Sequence, residues 1–381
     1  YKFNNAELSD LRKCFEETTG EDLNWFFNQW WLDKGHPILD ITHQFDEKNK
    51  TIALTVRQTQ RSIDGPTFRI PTKVDIYSNN TKETKVIDIT DRIQTFYFPS
   101  DTVPQLVNFD ADKVLVCEKT ENLSTAQNLF KYYNAPLFVD KLEAINALAL
   151  VQKANVTIQE LLLKALQDKN WTLREEALDA IEIDKFDNKT KLSLALQQVI
   201  YTDNNSHVRE KAIQKYARLE KNKSIDVLET VLKKDSSFIC LSAALAQLNT
   251  YDKSKAYTYA TKLSSTENSS LLVAIGRIFK DTTADNMEFF KKAIWLNGPY
   301  TFYSNFRSFA DYLEKANNTD LEKGILFLKD IYTYEESNYN KQGAKQIVGN
   351  LYYYFNEKAK KDSQASVKLQ IVKKAGKELL N

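Results

Sequence analysis

Residues 19–41, with the sequence TGEDLNWFFNQWWLDKGHPILDI, decide how the first part of this 381-residue chain is interpreted. Four of their apolar residues recur at positions i, i+3, i+4 and i+7, the spacing of one helix face: Leu23, Phe26, Phe27 and Trp30. Thr19 and Asp22 have the spacing of a capping box at the start of this helix. Gly35 and Pro37 then end it. The stretch therefore predicts an aromatic helix that stops shortly before a strand.

A second amphipathic helix is predicted in front of it, with Leu8, Leu11 and Phe15 on one face. Two helices are too few to enclose a core. We therefore expect residues 1–35 to be the last helices of a larger domain, and to pack on a part of that domain that this chain lacks.

After Gly35 apolar residues alternate with polar ones, as at Ile52, Leu54 and Val56, which is the period of a half-buried strand. Turn residues separate several such segments. The strands are predicted near residues 38–46, 51–60, 69–77, 84–89, 94–98 and 106–117. Residues 36–118 are thus expected to form a small antiparallel β-sandwich.

From residue 119 the helical period takes over, and Ala followed by Leu or Ile recurs three residues after an anchor position. The anchors are spaced by 33, 35, 32 and 30 residues, and they are Lys141, Arg174, Arg209, Leu241 and Leu271. Such periods are typical of solenoids built from helical hairpins. HEAT-like hairpins fit best, because ankyrin and tetratricopeptide signatures are not evident. Residues 119–381 are predicted to form a mostly α-helical, HEAT-like superhelical domain, which makes the chain a multi-domain α+β protein.

An aspartate lies six residues before three of the anchors, at Asp168, Asp203 and Asp235. This spacing predicts that each aspartate lies in the turn of a helical hairpin. Arg174 and Arg209 are then placed to hydrogen-bond carbonyl groups of the turn or the neighbouring aspartate. We expect these residues to form the scaffold of the repeat.

The composition is that of a folded chain, with 42% hydrophobic and 27% charged residues. Lys and Arg number 52 and Asp and Glu 51, so no overall positive charge favours nucleic acid as a partner. No apolar run approaches the roughly 18 residues that a membrane-spanning helix needs. Three widely separated cysteines, Cys14, Cys117 and Cys240, are expected to be buried thiols. The abundance of Lys, Asn, Ile and Tyr is typical of a bacterial protein, whether cytoplasmic or exported.

The sequence around residues 19–41 resembles the end of the catalytic domain in zinc aminopeptidases of the aminopeptidase N and puromycin-sensitive aminopeptidase family. In that family F-E-x-x-x-G-x-D-L-x-W-F-F-x-x-W is followed by G-x-P. The residues that fit are Phe15, Glu16, Gly20, Asp22, Leu23, Trp25, Phe26, Phe27, Trp30, Gly35 and Pro37. The resemblance implies a C-terminal fragment of such an enzyme, whose β-sandwich and helical domains follow the catalytic domain.

The chemistry of that family is missing from this chain. Zinc and its catalytic glutamate require His-Glu-x-x-His on one helix and a further glutamate ligand, whereas His36, His43 and His207 all lie outside any such motif. No catalytic or metal-ligating residue is therefore predicted here. The resemblance implies that zinc is bound by the parent enzyme, in an N-terminal catalytic domain that would be the partner of this chain.

Aromatic residues become dense beyond residue 280, and core packing is their ordinary explanation. A break at Asn297, Gly298 and Pro299 offers another, because it would leave Tyr300, Tyr303 or Arg307 on a concave surface. The resembled family closes its helical domain over the catalytic cleft and lines the chamber through which peptides arrive. We hypothesise that these three residues line a peptide channel.

Two functions follow from the sequence. In the first, the chain is the non-catalytic C-terminal region of a zinc aminopeptidase, inert alone, covering the active-site cleft and controlling peptide access. In the second, it is a stand-alone solenoid that binds a protein or peptide on its concave face. The aromatic helices within residues 1–35 favour the first, because a self-contained module has no use for them.

Overall fold

The computed structural model describes residues 5–79, 81–296 and 299–380, without the side chains of residues 299–302. The chain divides into two compact units, Tyr1–Leu162 and Leu163–Asn381. Helices and small, mainly antiparallel sheets come first, and a helical HEAT-like region follows. The predicted fold class is therefore confirmed. The boundary between the units falls inside a helix at Val156–Ala165, and the division at residues 35 and 118 stays a prediction.

The first unit opens with helix α1 (Leu8–Thr19), a short helix α2 (Asn24–Phe27) and a turn of π-helix (Asn28–Leu32). The π-turn is closed by the hydrogen bond from the Asp33 N–H to the Asn28 carbonyl, 2.9 Å long. A π-turn contains one residue more than an α-helical turn, so the side chains after it point in other directions than a regular α-helix would give them. Trp30 nevertheless packs on the ring of Phe68, 5.5 Å away between centroids.

The capping box predicted at Thr19 and Asp22 is wrong. Thr19 is the last residue of α1 and its hydroxyl donates back to the Phe15 carbonyl, at 2.8 Å. The Asp22 carboxylate instead accepts the Asn24 N–H, at 2.9 Å. Gly20, in the left-handed conformation with φ of 74°, ends α1 there, so the chain turns before α2 begins.

The described residues then form seven strands, arranged in two sheets with the orders β5-β2-β1-β7 and β4-β3-β6. They are β1 (Ile38–Asp46), β2 (Thr51–Gln58), β3 (Ile70–Ser78), β4 (Thr81–Ile89), β5 (Ile93–Pro99), β6 (Leu106–Phe109) and β7 (Glu118–Glu121). All pairs are antiparallel except β1 with β7. The inward residues of both sheets form one buried cluster, which includes Ile52, Leu54, Val74 and Phe109.

The strand predicted at residues 106–117 is too long. β6 ends at Phe109 because the Asp110 carboxylate turns the chain by accepting the N–H groups of Val114 and Leu115, both at 3.2 Å. Val114 is 71% exposed. Alternation of apolar residues alone did not distinguish this loop from a strand.

Helices make up the rest of the first unit and nearly all of the second. Their bounds are α3 (Thr125–Asn134), α4 (Phe138–Ala149), α5 (Val156–Ala165), α6 (Trp171–Ala180), α7 (Lys189–Thr202), α8 (Ser206–Glu220), α9 (Ile225–Lys234), α10 (Phe238–Tyr251), α11 (Lys253–Leu263), α12 (Ser269–Phe279), α13 (Met287–Trp295), α14 (Pro299–Lys315), α15 (Asn318–Tyr334), α16 (Asn338–Ala359), α17 (Ser363–Ala375) and α18 (Lys377–Leu380). Short 3₁₀ turns lie at Ile183–Lys185 and Lys221–Ser224. In the described part of the chain no helix has the length and apolarity needed to cross a membrane.

Every second helix from α4 to α12 carries one copy of the repeated Ala and Leu or Ile pair. All ten of these residues are buried: Ala144, Ile145, Ala177, Leu178, Ala212, Ile213, Ala244, Leu245, Ala274 and Ile275. The alanine lets neighbouring helices approach, and the larger residue fills the space between them. The repeat read from the sequence is thus the core of the helical hairpins.

Candidate functional site

Arg174 joins two successive hairpins of the second unit. Its guanidinium donates to both carboxylate oxygens of Asp203, at 2.6 and 2.7 Å, and to the carbonyl of Asp168, at 2.8 Å. The Asp203 hydrogen bond raises the pKa of Arg174. One arginine therefore ties its own turn to the turn of the next hairpin.

Arg209 repeats this geometry one hairpin later. It donates to both carboxylate oxygens of Asp235, at 2.8 and 2.9 Å, and to the carbonyl of Asp203, at 2.8 Å. Asp235 is followed six residues later by Leu241, where the earlier turns have arginine, so this pattern stops there. We call Asp168, Arg174, Asp203, Arg209 and Asp235 the ladder. The groups of the ladder thus satisfy one another across successive turns, and the scaffold role predicted for them stays a prediction.

A groove lies between α14 and α16 in the second unit. It encloses about 400 Å³ and is lined by Tyr303, Phe306, Arg307, Ala310, Asp311, Glu314, Tyr339, Gln342, Gly343, Gln346, Ile347, Asn350 and Leu351. Two of the three residues predicted to line a peptide channel, Tyr303 and Arg307, are thus brought together. Asn297, Gly298 and the side chain of Tyr300 lie outside the described residues.

The floor of the groove is set by a close approach of the two helices. Phe306 is 4% exposed, and a Cβ added to Gly343 would lie 2.9 Å from its ring. Glycine is therefore the residue that lets α16 approach α14 here. Tyr303 and Tyr339 also line the groove, and their side chains are 56% and 67% exposed.

The α14 wall carries charges of both signs. Asp311 pairs with Lys280 at 2.8 Å, whereas Arg307 and Glu314 form no ion pair within the described part of the chain. Burial, reinforced by the nearby Asp311 carboxylate, raises the pKa of Glu314. Lys315 and Lys358 lie close enough to Glu314 to oppose this shift, so Arg307 is the charge of this wall for which the described residues show no opposite partner.

The three histidines have separate partners. His36 pairs with Glu118 at 2.9 Å, His43 with Gln127 at 2.8 Å, and His207 lies over Trp171. No three His, Cys, Asp or Glu side chains come together as metal ligands anywhere in the described ranges.

A buried charge network in the first unit was missed by the sequence reasoning. Lys119 contacts Glu143 at 2.8 Å, and Lys131, 1% exposed, also pairs with Glu143. Lys113, 3% exposed, lies 3.1 Å from Asp140. Lysine is rarely buried, and nothing in the local sequence distinguishes these lysines from surface ones.

The cysteine prediction holds only in part. Cys240 is buried, Cys117 is half-buried and Cys14 is exposed, and all three are free thiols. Cys14 was expected to be buried, but it lies on α1, a helix that buries no residue.

Comparison with known proteins gives matches of three kinds: to a family, to a curated sequence and to solved structures. The HEAT repeats family matches residues 160–249. Aminopeptidase N of Haemophilus influenzae is 32% identical over 107 residues, which is 24% of this chain and 12% of that protein. The crystal structure of Legionella pneumophila aminopeptidase A superimposes with a TM-score of 0.54 at 13% identity, over 97% of this chain and 52% of that one.

The matches agree with the fold described above. The HEAT match begins in α5 and ends in α10, and so contains the whole ladder. The chain spans about half the length of the solved relative and a smaller part of the curated one. Part of this chain is therefore similar in sequence to aminopeptidase N, and its fold is similar to that of aminopeptidase A.

Proposed function

We propose that this chain is the non-catalytic C-terminal region of a zinc aminopeptidase, in which it covers the active-site cleft and controls peptide access. One observation carries the proposal. The superposition on Legionella aminopeptidase A takes in 97% of this chain but only 52% of that protein, while the described residues contain no group that could hold a metal.

Zinc does not fit the residues present. A zinc site needs three or four convergent nitrogen, sulfur or oxygen ligands, and the histidines are each engaged with a different partner. The metal and the hydrolytic step are therefore assigned to the catalytic domain of the parent enzyme. The contribution of this chain is to bind, orient and admit the peptide.

The exposed face of the first helices supports a catalytic domain as the partner. Phe15, Trp31 and Leu32 are 51%, 58% and 70% exposed, and α1 buries none of its residues. Contiguous apolar side chains of this size mark interaction surfaces. In the proposed assembly they are covered by the domain that carries zinc.

Peptide access is assigned to the groove of the second unit. Its aromatic lining and the guanidinium of Arg307 are groups that a polypeptide can use. Tyr303 and Arg307 are proposed to contact peptide substrates there, as expected from the sequence.

The test uses the enzyme expressed from the complete reading frame, with Tyr303→Ala and Arg307→Ala. Turnover of decapeptides should fall several-fold, whereas turnover of a single aminoacyl amide should not change because it does not reach the groove. Tyr353→Ala on the exposed face of α16 is the matched control. Unchanged decapeptide turnover in both groove variants would contradict the access role.

The alternative of a stand-alone interaction module is favoured by one observation: the groove is formed entirely by residues of the second unit. It could therefore bind a peptide without a catalytic domain. Inactivity of the complete reading frame on every aminoacyl amide, combined with peptide binding by this chain, would favour that alternative.

A further inference from the structure

A histidine of the β-sandwich contacts the first turn of helix α3. His43 alternates along β1 with Leu39 and Ile41, which are buried, so it lies on the same inward face of the strand. In the register of the sheet it pairs with Leu54, which is fully buried. The Nε2 atom of its half-buried ring lies 2.8 Å from the Nε2 atom of Gln127 on α3. A titratable ring therefore joins the sandwich to the start of a helix.

The orientation of the Gln127 carboxamide is fixed by the capping box of α3. Its oxygen accepts the backbone N–H of Ser124 at 2.9 Å, while the backbone N–H of Gln127 donates to the Ser124 hydroxyl at 3.2 Å. A backbone N–H can only donate, so the carboxamide oxygen must face Ser124 and its NH₂ group must face His43. His43 Nε2 is then an acceptor. The neutral ring therefore has its proton on Nδ1.

Protonation of His43 conflicts with this arrangement. Both nitrogens of an imidazolium are donors, so the nitrogen that faces the NH₂ group would bring two donors together. The carboxamide could accept from the imidazolium only by turning its oxygen away from the Ser124 N–H, which breaks the capping box. The start of a helix also disfavours a positive charge. Both effects oppose protonation while α3 is capped.

The neighbours of His43 affect its titration in opposite directions. Burial lowers its pKa from the usual 6.5, and the carboxylate of Glu121 on β7 opposes this shift. Glu121 itself pairs with Lys119 of β7 and lies 3.6 Å from Lys131 of α3, whereas β2 presents the apolar Leu54. A histidine with a lowered pKa stabilises the fold above its unfolded pKa of about 6.5, and this contribution is lost as the pH falls below that value.

We propose that His43 and Gln127 form a pH-sensitive switch at the start of α3. Neutral His43 accepts from the carboxamide, and the capping box with Ser124 is formed. Protonated His43 displaces the carboxamide, and the first turn of α3 loosens. The chain passes from its last strand, β7, to the helices at this point. The switch is a property of this chain alone and requires neither zinc nor a peptide.

The first test is NMR of this chain with ¹⁵N-labelled histidine, which reports the protonation of each ring nitrogen. The chain has three histidines, so His36→Gln and His207→Gln identify the signals of His43. Neutral His43 should have a protonated Nδ1 and a bare Nε2. A protonated Nε2 in the neutral ring would overturn the switch, because the carboxamide oxygen would then face His43 instead of Ser124.

The second test exchanges the donor for an acceptor. Gln127→Glu retains a side chain that can close the capping box with Ser124, but its carboxylate accepts from the imidazolium. The midpoint of the His43 titration should rise by about one pH unit or more. Gln44→Glu is the matched control, because it adds the same charge beside His43 on the opposite, exposed face of β1. An equal shift in both variants, or none in Gln127→Glu, would overturn the role of the carboxamide.

Hydrogen exchange followed by mass spectrometry measures the helix itself. After correction for the intrinsic effect of pH, the protection of residues 122–130 should fall several-fold between about pH 7 and about pH 5, the range in which histidine titrates. Gln127→Glu should abolish this fall. The start of α12, capped by Asn268 through the N–H of Leu271, is the internal control and should keep its protection.

Unchanged protection of residues 122–130 in acid, or an equal fall at α12, would overturn the switch. Circular dichroism shows whether each variant is folded. If Gln127→Glu unfolds, the ring protonation and the exchange of the unaltered protein still decide the question.

Discussion

Helix α1 and the repeat helices are built from similar amphipathic sequence, yet they leave their apolar side chains in opposite environments. α1 buries no residue, and Phe15 on it is 51% exposed. α12 buries seven of its 11 residues. An apolar stripe therefore predicts a helix face, while the presence of a neighbouring helix decides whether that face is already covered.

The ladder extends this comparison to polar groups. Arg174 and Arg209 use their donors on the adjoining turns, whereas Arg307 in the groove has no ion pair in the described part of the chain. Groups that satisfy one another hold the scaffold together. Groups left unmatched, at the groove and on the first helices, are the places where binding is expected.

The largest expected effect is on the core of the repeat. Leu196→Ala removes a fully buried side chain of α7 and should lower the free energy of unfolding by about 2–5 kcal/mol. Leu194→Ala, two residues away and 62% exposed, is the matched control and should change it by less than about 0.5 kcal/mol. Urea denaturation followed by circular dichroism measures both. Equal losses would contradict the assignment of buried and exposed faces.

The ladder should come next. Arg174→Ala leaves the Asp203 carboxylate, 5% exposed, without its partner and should cost about 3 kcal/mol. Arg61→Ala breaks an ion pair in which the arginine is 75% exposed and should cost less than about 1 kcal/mol. The same urea titrations compare the two. A loss at Arg174 as small as that at Arg61 would show that the ladder does not stabilise the hairpins.

The buried charges of the first unit should make its stability dependent on pH. Burial favours the neutral form of Glu143, but Lys119 and Lys131 lower its pKa from 4.5 to about 2. A carboxyl group with a lowered pKa stabilises the fold above its unfolded pKa, and the contribution is lost as the pH falls from about 4.5 to about 2. A shift of this size corresponds to roughly 3 kcal/mol, which should disappear over this range. Glu143→Gln should remove that part of the pH dependence, and an unchanged acid transition in the variant would contradict it.

The smallest effect is expected at the first helices. Phe15→Ala should change the free energy of unfolding of this chain by less than about 1 kcal/mol, because the side chain is half exposed. It should, however, weaken assembly with the catalytic domain, which size-exclusion chromatography of the two expressed parts would show. A large loss of stability in the isolated chain would mean that Phe15 is already packed.

Much of the fold could be predicted from the sequence because its signals are local. The strand predicted at residues 38–46 is β1 with the same bounds. The repeated Ala pairs fall on the buried faces of alternate helices. These succeed because the period of apolar residues follows directly from the backbone period of each element.

What the sequence missed depends on contacts between distant residues. The α16 wall of the groove lies about 36 residues from the α14 wall, and Gln342 carries no local sign that it faces Tyr303. Lys131 is buried only because Glu143 arrives from the next helix. The end of β6 at Phe109 likewise depends on a side chain, Asp110, capturing backbone N–H groups.

The central claim is that this chain takes part in peptide hydrolysis without carrying the reaction itself. The most direct measurement is hydrolysis of a panel of aminoacyl chromogenic amides by this chain with added Zn²⁺, beside the protein expressed from the complete reading frame. We expect turnover by the longer protein alone. Turnover by this chain would contradict the account, because no described group of residues could then be held responsible for the metal chemistry.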